Sequence, residues 1–437
     1  MWSLRLVSFL GLLALVGLCW ALSRDRRAIS WRIVGVGLLL QLTLGFVFLG
    51  WETGNAALQS FAEGVKGFLA LASEGTDFVF GALGRGEPLP VLEGNQPVSE
   101  ERNVQLGFIF ATQVLPTLIF FSSFMAVLYH LGIMQWVVRG MAWAMARLLG
   151  TSGAESLSAC GNVFVGQTEA PLMVRPFLAR MTQSELHAVM TGGFATIAGG
   201  VFALYVGFGI DAGYLMVASV MAVPAGLVCS KLLWPETEES ETMGKVVHAG
   251  PKTASNVVEA AASGASDGLK LALNVGAMLV AFLGLMAVVN WMLGGADRLW
   301  MTWIEGRAAD DIATAEVLSL DRILGWAFSP IAAVMGVPWD DVPQLAELLG
   351  KKLILTELIA YQELGTMQAD LDPRTVRIAS FALCGFANVG SVAIQIGGLG
   401  AVAPERRADL ARLAFRAMFA GAIATCMTAC LSGVLRA

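Results

Sequence analysis

An all-α integral membrane fold is predicted by three observations. Hydrophobic residues make up 56% of 437, charged residues only 14%, and 49 positions are glycine, against about 25% charge and about 7% glycine in soluble domains. Apolar runs approaching the roughly 20 residues that cross a hydrocarbon core of about 30 Å recur along the chain. Between them lie shorter apolar pieces interrupted by glycine, proline and isolated carboxylates, too polar to cross and too apolar for solvent. The pattern predicts eight transmembrane helices, two re-entrant hairpins and an interfacial helix, built as inverted structural repeats.

Taken in order, residues 2–22 form the first span. They lack a basic leader and a clean small-residue cleavage site, and Arg24, Arg26 and Arg27 follow at once, so they read as a mature helix and not a signal peptide. A second span covers 32–50. Within 55–72, Leu58, Phe61, Val65, Phe68 and Leu69 recur at helical spacing opposite Glu63 and Lys66, which predicts an amphipathic helix on the outer interface, extending over 55–85. An ordinary packed helix would show the same pattern. The third span, 105–133, closes a scaffold part, 1–133. Residues 134–234 then hold a half-polar Trp-containing helix, a hairpin, an interrupted helix at 186–209 and a span at 211–234. A loop at 235–268 leads to a span at 269–294, again scaffold. Residues 318–437 contain a second hairpin, an interrupted helix at 377–400 and a last span at 413–435.

Lysine and arginine set the orientation. Arg24, Arg26, Arg27 and Arg32 lie between the first two spans, and Arg406, Arg407, Arg412 and Arg416 lie at or just before the last, so both loops are expected in the cytoplasm. Residues 51–104 carry three basic side chains against eight acidic ones, as expected outside. Eight crossings then put both termini on the periplasmic side of an inner membrane. The loop with "PETEESET" is acidic yet falls inside, a mild conflict with this orientation.

Other classes are excluded. A net charge of −6 offers no footprint for nucleic acid. The six cysteines show no C-x-x-C pair and read as buried free thiols. His130, His187 and His248 form no ligand cluster, and no H-E-x-x-H or G-x-S-x-G arrangement appears, so no enzyme is expected. Asp340 and Asp341, between Pro338 and Pro343, read as a solvated turn and helix start.

The informative segment is "GNVFVGQTEAPL", 161–172, where an amide, a hydroxyl and a carboxylate stand together at Gln167, Thr168 and Glu169 in apolar surroundings. Such a hairpin is tolerated at membrane depth only when buried in protein or lining a cavity. A second copy follows. Gly150 precedes Glu169 by 19 residues and Gly336 precedes Glu357 by 21; a Thr stands before each Glu, and each is followed by an interrupted helix, "TGGFATIAGG" or "CGFANVGS". With eight crossings the two units are inverted, and paired interrupted helices point to a secondary transporter whose site lies at the repeat interface near the midplane.

The run "GNVFVGQTEAPLMVRPFLARMTQSELHAVMTGGFATIAGG", with "TELIAY" and "GFANVGS" behind it, closely resembles the concentrative nucleoside transporter family, in a bacterial member, over nearly everything from about residue 100 onward. The resemblance implies import of a nucleoside such as uridine by sodium symport, with rigid movement of the hairpins and broken helices against a trimeric scaffold in lipid. It places the nucleobase against Gln167, Thr168, Glu169 and Val201, and the ribose against Glu357, Phe386, Asn388 and Ser391. It assigns the sodium ion to backbone oxygens of Asn162, Val165 and Ile197, the Asn162 side chain and the Thr196 hydroxyl. No other cofactor is implied. Many relatives carry Asn where Thr356 stands and Ser where Thr196 stands; Thr196 keeps a hydroxyl, whereas Thr356 lacks an amide next to Glu357, which touches the fine ribose contacts.

Plainer readings stand beside these. Glu169 and Glu357 could be structural, paired with Arg175 or Lys351, although intramembrane carboxylates more often mark function. Asn388 and Ser391 could simply knit helices together. The glycines at 192, 193, 199 and 200 could serve close packing and not unwinding. Proton coupling, a passive channel and an intramembrane enzyme are the alternative activities.

Overall fold

The computed structural model describes residues 2–85, 87, 89–90, 92–93, 96–97, 103–104, 109–167, 169–244, 254–307, 311, 315 and 317–436. Helix dominates. Strands among the described residues are two-residue pieces only, with Leu89–Pro90 antiparallel to Asn103–Val104 and Leu92–Glu93 to Gln96–Pro97. The helices are α1 (Trp2–Ala21), α2 (Trp31–Gly45), α3 (Glu52–Ala70), α4 (Ala72–Phe80), α5 (Leu115–Leu131), α6 (Ile133–Leu149), α7 (Gly153–Gly161), α8 (Gln183–Ala195), α9 (Gly199–Gly207) and α10 (Ala212–Leu233). They continue as α11 (Val257–Trp303), α12 (Leu320–Val334), α13 (Val342–Ile354), α14 (Glu357–Met367), α15 (Pro373–Ala382), α16 (Val389–Val402) and α17 (Arg407–Leu435).

Among the described residues, seven helical stretches are long and apolar enough to cross a membrane: Ser3–Ala21, Trp31–Gly50, Phe110–Leu131, Gln183–Gly207, Ala212–Leu233, Val257–Trp303 and Pro404–Leu435. The interrupted helix expected at 377–400 is found as two helices. α15 stops at Ala382, and α16 starts afresh at Val389 behind Asn388, whose Oδ1 accepts the Ser391 N–H at 2.8 Å. A capping side chain there lets the backbone leave the helix without stranding donors. The expected span at 186–209 is interrupted too, between Ala195 and Gly199.

Two other expectations change in extent. The piece at 269–294 belongs to the 47-residue α11, about 70 Å long at 1.5 Å per residue. It runs along α5 through small residues four apart: Ala260, Gly264, Gly268 and Ala272 are buried, and a Cβ at Gly264 would lie 2.7 Å from the Ser122 carbonyl oxygen. Small residues at that spacing let two membrane helices pack backbone to backbone. The amphipathic stretch at 55–85 is divided among α3, α4 and a short turn at Ala82–Arg85. Its Phe68 ring packs on Phe120 and Phe124 of α5, at 5.0 and 4.5 Å between centroids, while Phe78 stays 92% exposed.

Burial separates an inner group from an outer one. The apolar windows of α8–α9, α10 and α17 are 78–83% buried, whereas those of α5 and α11 are 11% buried and carry bare Leu273, Val280, Leu285 and Trp291. A helix this apolar with so little of it covered needs lipid or another subunit.

Ion and hydrogen-bond contacts sort the loops between two ends. At one end the Arg24 guanidinium lies 4.4 Å over the Trp234 ring and Arg416 5.5 Å from it; Arg406 donates to the Met181 carbonyl and Arg412 to Gln183. At the other end Arg374 donates to the Gly336 carbonyl (2.7 Å), Ser8 Oγ (2.9 Å) and the Arg436 carbonyl (3.1 Å). α8 therefore starts from the first end and α15 from the second.

The acidic segment 235–243 sits at the end where the basic loops gather, and its carboxylates are spent locally. Glu236 accepts from Lys231 and from Thr182, Glu241 pairs with Arg180 at 3.2 Å, and Glu238 accepts the Gln183 N–H. Here acidic residues act as caps and partners, not as a surface charge that sets orientation. Asp341, expected in a solvated turn, is buried: its Oδ2 accepts the Asp372 N–H and the Thr375 hydroxyl, tying the start of α13 to the start of α15. All six cysteines are free and buried. His187 is buried against Ser230, His248 lies outside the described residues, and the described residues hold no metal-ligand cluster.

Candidate functional site

The site is assembled where the two interrupted helices meet. The unwound backbone between α8 and α9 and that between α15 and α16 are joined by a hydrogen bond from the Phe386 N–H to the Thr196 carbonyl, 3.3 Å. Glycine makes this crossing possible: a Cβ at Gly385 would lie 2.7 Å from the Phe194 carbonyl oxygen. Residues 163–167, which follow α7, lie against the first break. The Gly199 N–H donates to the Phe164 carbonyl, and a Cβ on Gly199 would fall 2.4 Å from that same oxygen. Thus Gly199 serves close approach, and the helix is also unwound there.

One hydrogen-bonded chain links Gln167 to Glu357. Gln167, buried, donates from Nε2 to Ser391 Oγ at 3.1 Å. Ser391 N–H donates to Asn388 Oδ1, and Asn388 Nδ2 donates to Glu357 Oε2 at 3.0 Å. Thr356 donates to the same carboxylate oxygen at 3.2 Å and caps α14 through the Leu358 N–H. Glu357 is 4% exposed and satisfied by neutral donors alone. The pairing with Lys351 is not made, since Lys351 is engaged by Asp321, Glu347 and Glu363. A buried carboxylate that keeps no cation partner is costly unless its donors are strong or its site is functional.

Two residues of this chain were missed from sequence. Tyr205 of α9 donates its hydroxyl to Glu357 Oε1 at 3.0 Å. Gln395 of α16 donates from Nε2 to Gln167 Oε1 and to the Met190 carbonyl, each at 3.1 Å. Gly193 leaves the room, because a Cβ there would sit 2.6 Å from that Nε2. Helical spacing carried the signal: Tyr205 lies one turn beyond Val201, and Gln395 one turn beyond Ser391. Each short helix after a break thus reaches across to the other half of the chain.

The remaining expected residues lie as follows. Val201 is buried in α9, Phe386 is half-buried in the second break, and Ile197 is buried in the first. Glu169 is exposed and turned back on its own hairpin, accepting the Gly166 N–H at 2.6 Å, with no ion pair to Arg175 among the described residues. It does not join the chain that ends on Glu357. Thr168 lies outside the described residues. Asn162, 1% exposed, spends Nδ2 on the Ser158 carbonyl and leaves Oδ1 without a partner. Thr196 donates its hydroxyl to the Gly192 carbonyl, leaving oxygen lone pairs free, and Val165 is half-buried at the hairpin tip.

Removing the Tyr205 hydroxyl tests the contact between α9 and Glu357. Tyr205→Phe is expected to raise the KM for nucleoside uptake about ten- to hundredfold, the loss of one hydrogen bond to a charged acceptor, with protein yield unchanged; an unaltered KM would show the contact to be idle.

Comparison with known proteins decides the family. Residues 214–433 match the family described as Na+ dependent nucleoside transporter C-terminus, residues 10–83 its N-terminal counterpart, and residues 111–212 a gate described as nucleoside recognition. The chain belongs to the concentrative nucleoside transporter family. This transporter is 43% identical to the uncharacterized transporter YutK of Bacillus subtilis, over 97% of its own length and 98% of the relative's. It is 41% identical to sodium/nucleoside cotransporter 1 of Mus musculus over 99% of its length, and spans 64% of the mouse protein. In structure it resembles CNTnw in an inward-facing substrate-bound state, with a TM-score of 0.86 at 42% identity, covering 99% of this chain and 98% of that one. A doubly substituted CNTnw in an outward-facing state gives 0.88 at 41% identity, covering 100% and 98%. The transporter is a membrane protein of a family that carries nucleosides, not an enzyme family.

Proposed function

We propose that this transporter imports nucleosides such as uridine across the inner membrane by sodium symport, through alternating access of a rigid moving part. The observation that carries the reading is the chain from Gln167 through Ser391 and Asn388 to Glu357. It lines up an amide and a carboxylate from the two hairpins with a hydroxyl from α16, which suits a ligand with a polar edge at one end and hydroxyls at the other. The base packs on Val201 and bonds Gln167, Thr168 and Glu169, the last swinging off Gly166 to do so. The ribose bonds Glu357, Asn388 and Ser391, with Phe386 as an apolar wall. Bound nucleoside takes up acceptor positions on the Glu357 carboxylate and polar groups of Gln167 that neighbouring side chains occupy in its absence.

Sodium fits the residues at the first break. Asn162 Oδ1 is an oxygen acceptor buried without a donor, a state that costs about 1–3 kcal/mol unless something positive meets it. Thr196 supplies a hydroxyl oxygen, and the backbone of Asn162, Val165 and Ile197 supplies the carbonyls a hard cation prefers. An ion entering down 100 mV contributes about 2.3 kcal/mol per charge to accumulation.

The opposite entry of α8 and α15 supports reading 134–234 and 318–437 as inverted repeats that move together, with the hairpins re-entrant. It also supports a cytoplasmic basic end and periplasmic termini. The bare apolar faces of α5 and α11 suit a lipid-embedded homotrimer built on 1–133 and 269–294. Proteoliposomes with an inward sodium gradient are expected to accumulate labelled uridine above the outside concentration, and to lose accumulation when choline replaces sodium. Undiminished accumulation in choline under a proton gradient would overturn the choice of ion.

A further inference from the structure

Lys352 is a buried cation that the transport reading leaves unused. It lies on α13, in the first arm of the second hairpin, and is 3% exposed. Its neighbour Lys351 has three carboxylates, but Lys352 has none within ion-pair distance among the described residues. Its Nζ instead donates to the Ala382 carbonyl and to Thr425 Oγ1, each at 2.8 Å. Thr425 spends its own proton on the Ala422 carbonyl, so it meets Lys352 as an acceptor.

Ala382 is the last residue of α15, so the ammonium sits at the carbonyl end of a half-helix, where a positive charge is favoured. The matching place in the first repeat is the carbonyl end of α8. There the first arm of the first hairpin presents Asn162, whose amide lies 3.4 Å from the Cβ position of Gly192 in the last turn of α8. One repeat places the Asn162 side chain, which carries a partnerless Oδ1, beside the end of its half-helix; the other places a cation there. A lysine nitrogen and a bound sodium ion answer the same electrostatic demand, differing in that the lysine cannot dissociate.

We infer that Lys352 is the tethered counterpart of the sodium ion, a positioning residue that fills the second repeat's cation place and confines coupling to the first. Lys352 stands five residues before Glu357, on the far side of the turn between α13 and α14. The inference rests on the sodium-symport reading above. It goes beyond it by fixing how many sodium ions move: one per nucleoside.

Dual-label uptake into proteoliposomes tests this, with radioactive sodium and uridine counted together. The wild-type protein is expected to move the two one for one, with a sodium Hill coefficient near one; a ratio of two would overturn the proposal without any variant. Lys352→Arg is expected to keep sodium-driven uptake, and Lys352→Met to weaken uridine affinity about ten- to hundredfold, on the scale of one charged hydrogen bond. Lys352→Ser, which leaves space and an oxygen, is expected to shift the Hill coefficient toward two. Wild-type kinetics in Lys352→Met, or a folded Lys352→Ser whose Hill coefficient stays at one, would contradict the assignment. Sodium-independent uptake by the wild-type protein would instead defeat the symport reading itself, whatever Lys352 does.

Discussion

Glu357→Gln is expected to abolish saturable uridine uptake while the protein remains folded. Tyr205, Thr356 and Asn388 all donate to this carboxylate, so turning one oxygen into an N–H2 group sets donor against donor on one side and weakens the acceptor on the other. Hydrogen bonds to a charged group are worth about 1.5–3 kcal/mol each, and the two facing the ribose together amount to at least about a hundredfold in kcat/KM. The shape of the side chain is kept, and no cation partner is orphaned, so elution as a single species on size exclusion should be unchanged. Saturable uptake at the wild-type level would remove Glu357 from the site.

Lys231→Met is expected to be the most destabilising single change at the basic end. Lys231 Nζ lies 2.7 Å from Glu155 Oε2, 2.8 Å from Ser184 Oγ and 3.4 Å from Glu236 Oε2, so one ammonium joins α10 to α7, α8 and the acidic segment. Glu155 is fully buried, and its Oε1 already accepts the Ser152 N–H in a capping box. Deleting the lysine strands that carboxylate, at a cost of about 3–5 kcal/mol. The melting temperature in detergent should fall sharply, and Glu155→Gln added to Lys231→Met should recover most of the loss, because neutralising both partners removes the unpaired charge. A double variant no more stable than the single one would mean that the ion pair is not what holds these helices together.

How far the sequence could be read depended on the kind of signal. Apolar length and periodicity carried most helices, and glycine marked where they stop: Gly150 and Gly336 both end a helix with positive φ, 78° and 77°, where residues with a Cβ are strained. The interruption at 383–388 was visible as "CGFANVGS", yet a hydropathy window still runs across it, since unwound apolar backbone scores like helix. The extent of α11 escaped because its ends are amphipathic and helical beyond any hydrocarbon thickness. Asp341 was misjudged for the converse reason, a carboxylate flanked by prolines that is buried because backbone and hydroxyl donors from another helix close on it. Gln167, Asn388, Ser391 and Glu357 come together in space. Tyr205 and Gln395 did not announce themselves, being single polar residues in apolar helices whose partners lie in the other half of the chain.

The most direct measurement is a structure of the protein determined with uridine and sodium. Expected is nucleoside density bridging the two hairpins, its base within hydrogen-bond reach of Gln167 and its ribose hydroxyls on Glu357 and Asn388. Nucleoside held by one hairpin alone, or bound away from the meeting point of Thr196 and Phe386, would contradict a chamber shared by both halves.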